Sequence, residues 1–134
     1  MSEVRIIADY GDLCGEGPLW DFRSNQLFWT DLTSRRFYCF DWATLKHRIV
    51  KESYEVCGFA FNASGGFVVT NSSGVWLWDG GGESLLVAEQ ANGSKCQLND
   101  CIADPGGRLL AGSCFYNPGG SYPLGNLILV DTDG

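Results

Sequence analysis

Residues 17–41 read GPLWDFRSNQLFWTDLTSRRFYCFD, three short apolar runs separated by two polar turns. Residues 58–79, GFAFNASGGFVVTNSSGVWLWD, and residues 100–131, DCIADPGGRLLAGSCFYNPGGSYPLGNLILVD, repeat the same order. In each copy the first run ends on Asp or Asn, at Asp21, Asn62 and Asp104, which lie 41 and 42 residues apart. A repeat of this length built from short strands and turns is typical of a β-propeller blade.

The segments between the repeats supply a further strand for each unit. Residues 47–56 and 84–89 alternate between apolar and polar side chains, which predicts fourth, outermost strands. The chain also holds 18 Gly and one Met, and this composition favours strands and tight turns over helices. We therefore predict an all-β chain of about three four-stranded blades, near residues 12–56, 57–98 and 99–134, from an expected six-bladed propeller. A β-sandwich with coincidental turn spacing is the alternative.

Three blades would form an open arc, because propellers close with roughly four to eight blades. Two interpretations remain. The one we favour is that residues 1–134 are the N-terminal half of a single propeller domain. In the other, two copies complete a ring, and the open blade edges would allow this self-association.

The charge and the cysteines exclude several classes of partner and site. The net charge is −7, and Arg35 and Arg36 form the only dense basic cluster, so we expect no nucleic-acid partner. Residues 1–10 do not resemble a signal peptide and no apolar run reaches membrane-spanning length, which favours a cytoplasmic protein without a membrane partner. The six cysteines include no C-x-x-C pair, which argues against a zinc site and a disulfide framework.

The repeat also groups three residues into a candidate site. Five positions before the aligned Asp and Asn residues lie Glu16, Cys57 and Asn99, and equivalent positions ahead of the innermost strands converge on one mouth of a propeller channel. The carboxylate of Glu16 and the amide oxygen of Asn99 are hard ligands that suit Ca²⁺. In the structural alternative, Glu16 caps a turn and Asn99 forms an Asx-turn with its own backbone.

Other positions favour structural roles. His47, the only histidine, is expected to be an exposed strand residue, and Cys57 a small residue lining the channel. Asp100 is expected to cap a turn rather than to orient Asn99. The insertion over residues 116–125 fits a tolerated surface loop, with a ligand-facing rim as the alternative.

Several motifs together resemble the regucalcin, gluconolactonase and luciferin-regenerating enzyme family. They are CGEGPLWD at 14–21, LFWTD at 27–31, RFYCFD at 36–41, LND at 98–100, DPGGRL at 104–109 and AGS at 111–113. The resemblance covers almost all of this chain but only the first half of the six-bladed propeller of that family. It implies a metal-dependent hydrolase of sugar lactones that binds one divalent cation, Ca²⁺ before Zn²⁺, Mn²⁺ or Mg²⁺.

The resemblance also implies roles for single residues. Glu16 matches the first metal ligand, and Asn99 matches an Asn that contacts substrate or a metal-bound water. Gln97 stands where the family has a substrate-binding Arg. The other ligands and the catalytic base would lie in later blades, so we expect no catalytic residue in this chain and no activity of the chain alone. The alternatives are a non-catalytic calcium-binding or interaction propeller, which Gln97 favours, and a calcium-dependent propeller hydrolase of esters or phosphoesters.

Overall fold

The computed structural model describes residues 3–88, 90, 91, 94, 95, 97–114 and 124–131, and these residues form strands joined by turns and loops. All strand pairs are antiparallel. The strands of the described residues are β1 (Gly15–Asp21), β2 (Gln26–Asp31), β3 (Arg36–Asp41), β4 (Lys46–Glu52), β5 (Gly58–Phe61), β6 (Phe67–Asn71), β7 (Gly74–Trp78), β8 (Glu83–Ala88), β9 (Gln90–Ala91), β10 (Ser94–Lys95), β11 (Gln97–Ala103), β12 (Leu109–Cys114) and β13 (Leu127–Val130). The all-β prediction is confirmed.

The strands form three larger sheets and a two-stranded ribbon. The first sheet has the order β1-β2-β3-β4, the second β5-β6-β7-β8 and the third β11-β12-β13, while β9 and β10 form the ribbon. Within the described part of the chain, no helix is long and apolar enough to span a membrane. The predicted fourth strands correspond to β4 and β8, although β4 ends early because Ser53 adopts a left-handed φ of 56° and the chain turns there. Most of the insertion predicted over residues 116–125 lies outside the described residues.

The chain divides into two compact units, residues 1–56 with the first sheet and residues 57–134 with the other two sheets. In the first unit, the rings of Phe28 and Phe37 stack at 5.9 Å, and Tyr10 stacks on Tyr38 at 4.7 Å. The core of the second unit lies between its two larger sheets. Ala60 and Val75 of the second sheet pack there with Leu109 of the third.

The aligned Asp and Asn residues of the repeat hold the turn that follows the first strand of each larger sheet. Asp21 accepts hydrogen bonds from the Arg23 backbone N–H at 3.0 Å and the Ser24 hydroxyl at 2.6 Å. Asn62 donates its side-chain amide to the Gly65 carbonyl at 3.0 Å. Asp104 accepts the backbone N–H groups of residues 106 and 108 at 2.8 and 3.0 Å. The strongest signal of the repeat therefore marks turns that fix the strand pairing.

In each of the first two sheets, a buried threonine near the end of the second strand forms a hydrogen bond with the chain segment that follows that sheet. The Thr30 hydroxyl lies 3.0 Å from the carbonyl oxygen of Val56. At the equivalent position, the Thr70 hydroxyl lies 2.6 Å from the carbonyl oxygen of Asn99. Both threonines are fully buried, and in both sheets the hydroxyl bonds to a residue beyond the fourth strand of its own sheet.

Candidate functional site

Glu16 lies on β1 at an irregularity of the strand. Glu16 pairs with Thr30 and the next pair is Leu19 with Phe28, so β1 carries one extra residue between the two pairs. The local sequence explains this bulge. Gly17 adopts a left-handed φ of 58°, and Pro18 has no N–H to donate to the ladder. A bulge of this kind redirects side chains and is often found beside active sites.

The Glu16 carboxylate has a thiol neighbour. Cys14 Sγ donates to Glu16 Oε1 at 3.1 Å, and the Glu16 side chain is half-buried. The hydrogen bond to Glu16, together with burial and the charges of Glu16 and Asp31, raises the pKa of the Cys14 thiol. Cys14 therefore stays a protonated donor that fixes one oxygen of the Glu16 carboxylate.

Asp31 anchors the backbone that leads to Glu16. Its carboxylate is fully buried and accepts the backbone N–H groups of Leu13 at 2.9 Å, Cys14 at 3.1 Å and Ser34 at 3.1 Å. Burial alone would raise the pKa of this carboxyl, but these hydrogen bonds and one from the Ser34 side chain outweigh burial and lower the pKa to about 2. Asp31 thus stays ionised and holds the chain two residues before Glu16.

Glu16 lines a cleft of about 250 Å³ in the first unit. A second carboxylate, that of Asp12, lines the same cleft and accepts the indole N–H of Trp29 at 3.0 Å. The remaining lining residues are mainly apolar and comprise Ile7, Ala8, Gly15, Pro18 and Leu27. This mixture of aromatic and aliphatic surface with two carboxylates suits a small polar ligand that carries C–H groups.

Asn99 lies at a second bulge, on β11 of the third sheet. Leu98 pairs with Ser113 and the next pair is Cys101 with Ala111, so Asn99 and Asp100 lie within the irregularity. The second sheet holds this backbone through one hydrogen bond and approaches it closely at Gly58. The Thr70 hydroxyl binds the Asn99 carbonyl at 2.6 Å, and a methyl group in place of a Gly58 hydrogen would lie 2.9 Å from the same oxygen.

The residues beside Asn99 differ in what they can contact. Asp100 is exposed, and its carboxylate accepts the backbone N–H of Cys101 at 2.8 Å, which agrees with a local capping role. Gln97 is exposed two residues before Asn99 and pairs with Cys114. In a regular strand, a residue and the residue two positions later point to the same face of the sheet. The bulge begins between Gln97 and Asn99, so the strand pairing does not place these two side chains on one face.

Cys57 and His47, the other residues considered in the sequence, make contacts within the fold. Cys57 is buried, and its backbone N–H donates to the Thr70 carbonyl at 2.9 Å. His47 is exposed on β4, as predicted, and its Nδ1 lies 2.8 Å from the Tyr10 hydroxyl oxygen. Cys96 lies outside the described residues, and the other five cysteines are free thiols.

Glu16 belongs to the first unit, and Asn99 and Gln97 belong to the second, so their common site stays a prediction. Their carboxylate and amide oxygens are the donor types that a hard divalent cation takes. Among the described residues, no group of three or more His, Cys, Asp or Glu side chains could hold a metal ion. The oxygen donors of these side chains therefore have the chemistry of hard-cation ligands, but the described residues contain no assembled metal site.

Sequence reasoning missed Asp31, Thr70 and Asp12. The first two were detectable in principle, because the second strands end in related pairs, Thr30-Asp31 in one repeat and Thr70-Asn71 in the next. Asp12 lies outside the repeat, and only the fold brings it to the cleft that Glu16 lines.

Two curated relatives match this chain over most of its length. A pentonolactonase from Haloferax volcanii is 30% identical over 137 residues, which cover 100% of this chain and 44% of the relative. A 6-deoxy-6-sulfogluconolactonase from Pseudomonas putida is 32% identical over 118 residues, which cover 86% of this chain and 40% of the relative. This chain therefore spans less than half the length of these relatives.

Solved structures and a family description agree with these matches. A gluconolactonase from Xanthomonas campestris aligns with a TM-score of 0.76 at 21% identity, over 92% of this chain and 46% of that one. A calcium-binding protein, regucalcin from Agrobacterium tumefaciens, aligns with a TM-score of 0.70 at 21% identity, over 81% of this chain and 38% of that one. At these identities both likenesses concern the fold. The SMP-30/Gluconolactonase/LRE-like region matches residues 14–134, and the chain therefore belongs to this family, as its motifs predicted.

Proposed function

We propose that this chain carries the metal-binding and part of the substrate-binding face of a sugar lactonase, a hydrolase that opens the cyclic ester of a sugar acid. The observation that carries the proposal is the pair of bulged strands. Glu16 and Asn99 occupy equivalent positions of the repeat, and each lies at a bulge in the first strand of its sheet. The relatives named as lactonases support the reaction class.

The three larger sheets would be the first three blades of a six-bladed propeller, near residues 12–56, 57–98 and 99–134. Such an arrangement would bring the starts of β1 and β11 to one mouth of the channel. The alignment of this chain with a calcium-binding protein, regucalcin, supports the proposal that a divalent cation binds here, with Ca²⁺ as the first candidate.

Each residue would have a limited task. Glu16 would bind the cation through the carboxylate oxygen that Cys14 does not occupy, and Asn99 would contact a substrate hydroxyl or the cation through its amide. The bound cation supplies Lewis-acid polarisation of the lactone carbonyl. Asp31 and Thr70 would only position the site residues, because they bind the backbone beside Glu16 and at Asn99. Activation of water falls to a group outside this chain, so the 134-residue chain alone would be inactive.

The test uses the natural protein that contains residues 1–134, assayed on a panel of aldonolactones with and without added Ca²⁺. We expect Glu16→Gln to lower kcat/KM by about 100-fold or more, because an amide is a weaker cation ligand than a carboxylate. The matched control is Glu52→Gln, an exposed glutamate that lies 3.5 Å from Arg36, and it should change activity by less than about twofold. Wild-type activity in Glu16→Gln, or activity that survives complete metal chelation, would overturn the proposal.

A non-catalytic calcium-binding or interaction propeller is the second candidate, and Gln97 is the observation that favours it. An uncharged, exposed side chain stands where a guanidinium could bind lactone oxygens through two parallel hydrogen bonds. This candidate predicts calcium binding that depends on Glu16, without turnover of any lactone in the panel.

A further inference from the structure

Cys14 is held beside the Glu16 carboxylate by its own backbone. The backbone N–H of Cys14 donates to the Asp31 carboxylate at 3.1 Å, and its carbonyl accepts the Leu32 N–H at 3.1 Å. Glu16 follows two residues later and pairs with Thr30 in the ladder between β1 and β2. The 3.1 Å contact between Cys14 Sγ and Glu16 Oε1 therefore joins two residues whose backbones are both fixed to the end of β2 or the turn after it.

The two oxygens of the Glu16 carboxylate differ in what they can still bind. An ionised carboxylate offers about four lone-pair positions, shared equally between its oxygens. Among the described residues, Cys14 donates to Oε1, and no donor reaches Oε2. Cys14 therefore occupies part of one oxygen and leaves the other oxygen available to a ligand.

Divalent cations differ in how they use a carboxylate. Ca²⁺ takes roughly six to eight oxygen ligands in a flexible arrangement and accepts a carboxylate through one oxygen or through both. Mg²⁺ requires a near-octahedral shell of about six ligands, and Mn²⁺ is also bound in octahedral oxygen sites. A carboxylate that is restricted to one oxygen therefore deprives Ca²⁺ of a ligand that it can use, whereas an octahedral cation loses little.

We propose that Cys14 sets the cation preference of Glu16, because its thiol confines the carboxylate to one oxygen and so weakens the binding of Ca²⁺ relative to Mn²⁺. The inference rests on the proposed function, since it takes Glu16 as a cation ligand. Cys14 acts through Glu16 and does not itself bind the cation, so it is a positioning residue. A hydroxyl at residue 14 can donate to the same oxygen, whereas a methyl group cannot, and this difference provides the test.

The experiment measures the binding of Mn²⁺ and of Ca²⁺, each as the only added divalent cation, to the natural protein that contains residues 1–134. Electron paramagnetic resonance of free Mn²⁺ gives its Kd, and isothermal titration calorimetry gives the Kd of Ca²⁺. We expect Cys14→Ala to raise the ratio of Ca²⁺ affinity to Mn²⁺ affinity by about 10-fold, because Oε1 becomes available to Ca²⁺. Cys14→Ser keeps a donor and should stay close to the wild-type ratio.

Cys39→Ala is the matched control, because it removes a buried thiol from β3 of the same sheet and should leave the ratio unchanged. Far-UV circular dichroism of each variant shows whether its sheets are retained. Cys14→Val, which also lacks a donor, replaces Cys14→Ala if the latter unfolds.

The outcomes separate this inference from the proposed function. An unchanged ratio in Cys14→Ala, or an equal rise in Cys14→Ser or Cys39→Ala, would overturn the role of Cys14 and leave Glu16 as a cation ligand. Binding of both cations that Glu16→Gln does not weaken, or no binding of either cation by the wild type, would overturn the role of Cys14 together with the proposed metal site.

Discussion

Replacing Asp31 with Asn tests whether the buried carboxylate stabilises the segment before Glu16. In the wild type, three backbone N–H groups converge on two charged oxygens at 2.9 to 3.1 Å. An asparagine keeps one acceptor oxygen and turns an N–H₂ group towards a donor, so at least one hydrogen bond is lost. The carboxyl pKa is lowered from 3.8 to about 2, and at about 1.4 kcal/mol per pKa unit the charged form contributes about 2 kcal/mol to folding.

The sign of this contribution fixes its pH dependence. A pKa that is lower in the folded state stabilises the protein above the unfolded value, near pH 4, and the stabilisation is lost as pH falls towards 2. We expect urea unfolding at pH 7 to show Asp31→Asn less stable than wild type by about 2 kcal/mol. This difference should shrink between pH 4 and pH 2, when the wild-type carboxyl becomes protonated.

A matched control comes from an exposed turn. Asp79 accepts the backbone N–H groups of Gly81 and Gly82, both at 2.9 Å, but it is exposed, so Asp79→Asn should cost less stability. Hydrogen exchange adds a local measurement, because the amides of Leu13 and Cys14 should lose protection in Asp31→Asn only. Equal stability of wild type and Asp31→Asn at pH 7, or a difference that stays constant down to pH 2, would refute the reasoning.

Three further changes test the surroundings of Asn99. Thr70→Val keeps the side-chain shape but leaves the Asn99 carbonyl without its 2.6 Å donor, and should lower the free energy of unfolding by about 1–3 kcal/mol in urea titrations. Gly58→Ala places a methyl group 2.9 Å from the same carbonyl oxygen and should destabilise by about 1–3 kcal/mol, whereas Gly82→Ala, with open space around it, should be nearly neutral; equal effects would contradict the close approach. Gln97→Arg should lower KM for an aldonolactone in the natural protein that contains this chain, because a guanidinium can form two parallel hydrogen bonds to the lactone oxygens. An unchanged KM would remove Gln97 from the substrate site.

Much of the fold could be predicted because turn chemistry is local. Asp21, Asn62 and Asp104 mark the repeat in the sequence, and each holds its turn through bonds within four residues. The fourth strands of the first two sheets were likewise visible in the alternation of their side chains. Such signals depend only on neighbouring residues, so one sequence contains them.

The candidate site was less predictable because its geometry depends on distant partners. The bulge at Glu16 has a local signal in Gly17 and Pro18, but the bulge at Asn99 arises from the register between β11 and β12, which a single strand does not specify. Asp31 acts on residues 17 and 18 positions earlier, and Thr70 acts on a residue 29 positions later. The repeat identified Glu16 and Asn99 as equivalent, whereas the groups that hold them required the fold.

The buried threonines also bear on how the chain folds during synthesis. Thr30 completes its hydrogen bond with Val56, and Thr70 completes its bond with Asn99, so each sheet waits for residues that leave the ribosome after its own last strand. In a nascent chain, the first and second sheets would therefore complete these hydrogen bonds only when the segment after each sheet has been synthesised. We expect this delay to make folding proceed from the N-terminus, with each newly translated segment stabilising the sheet before it.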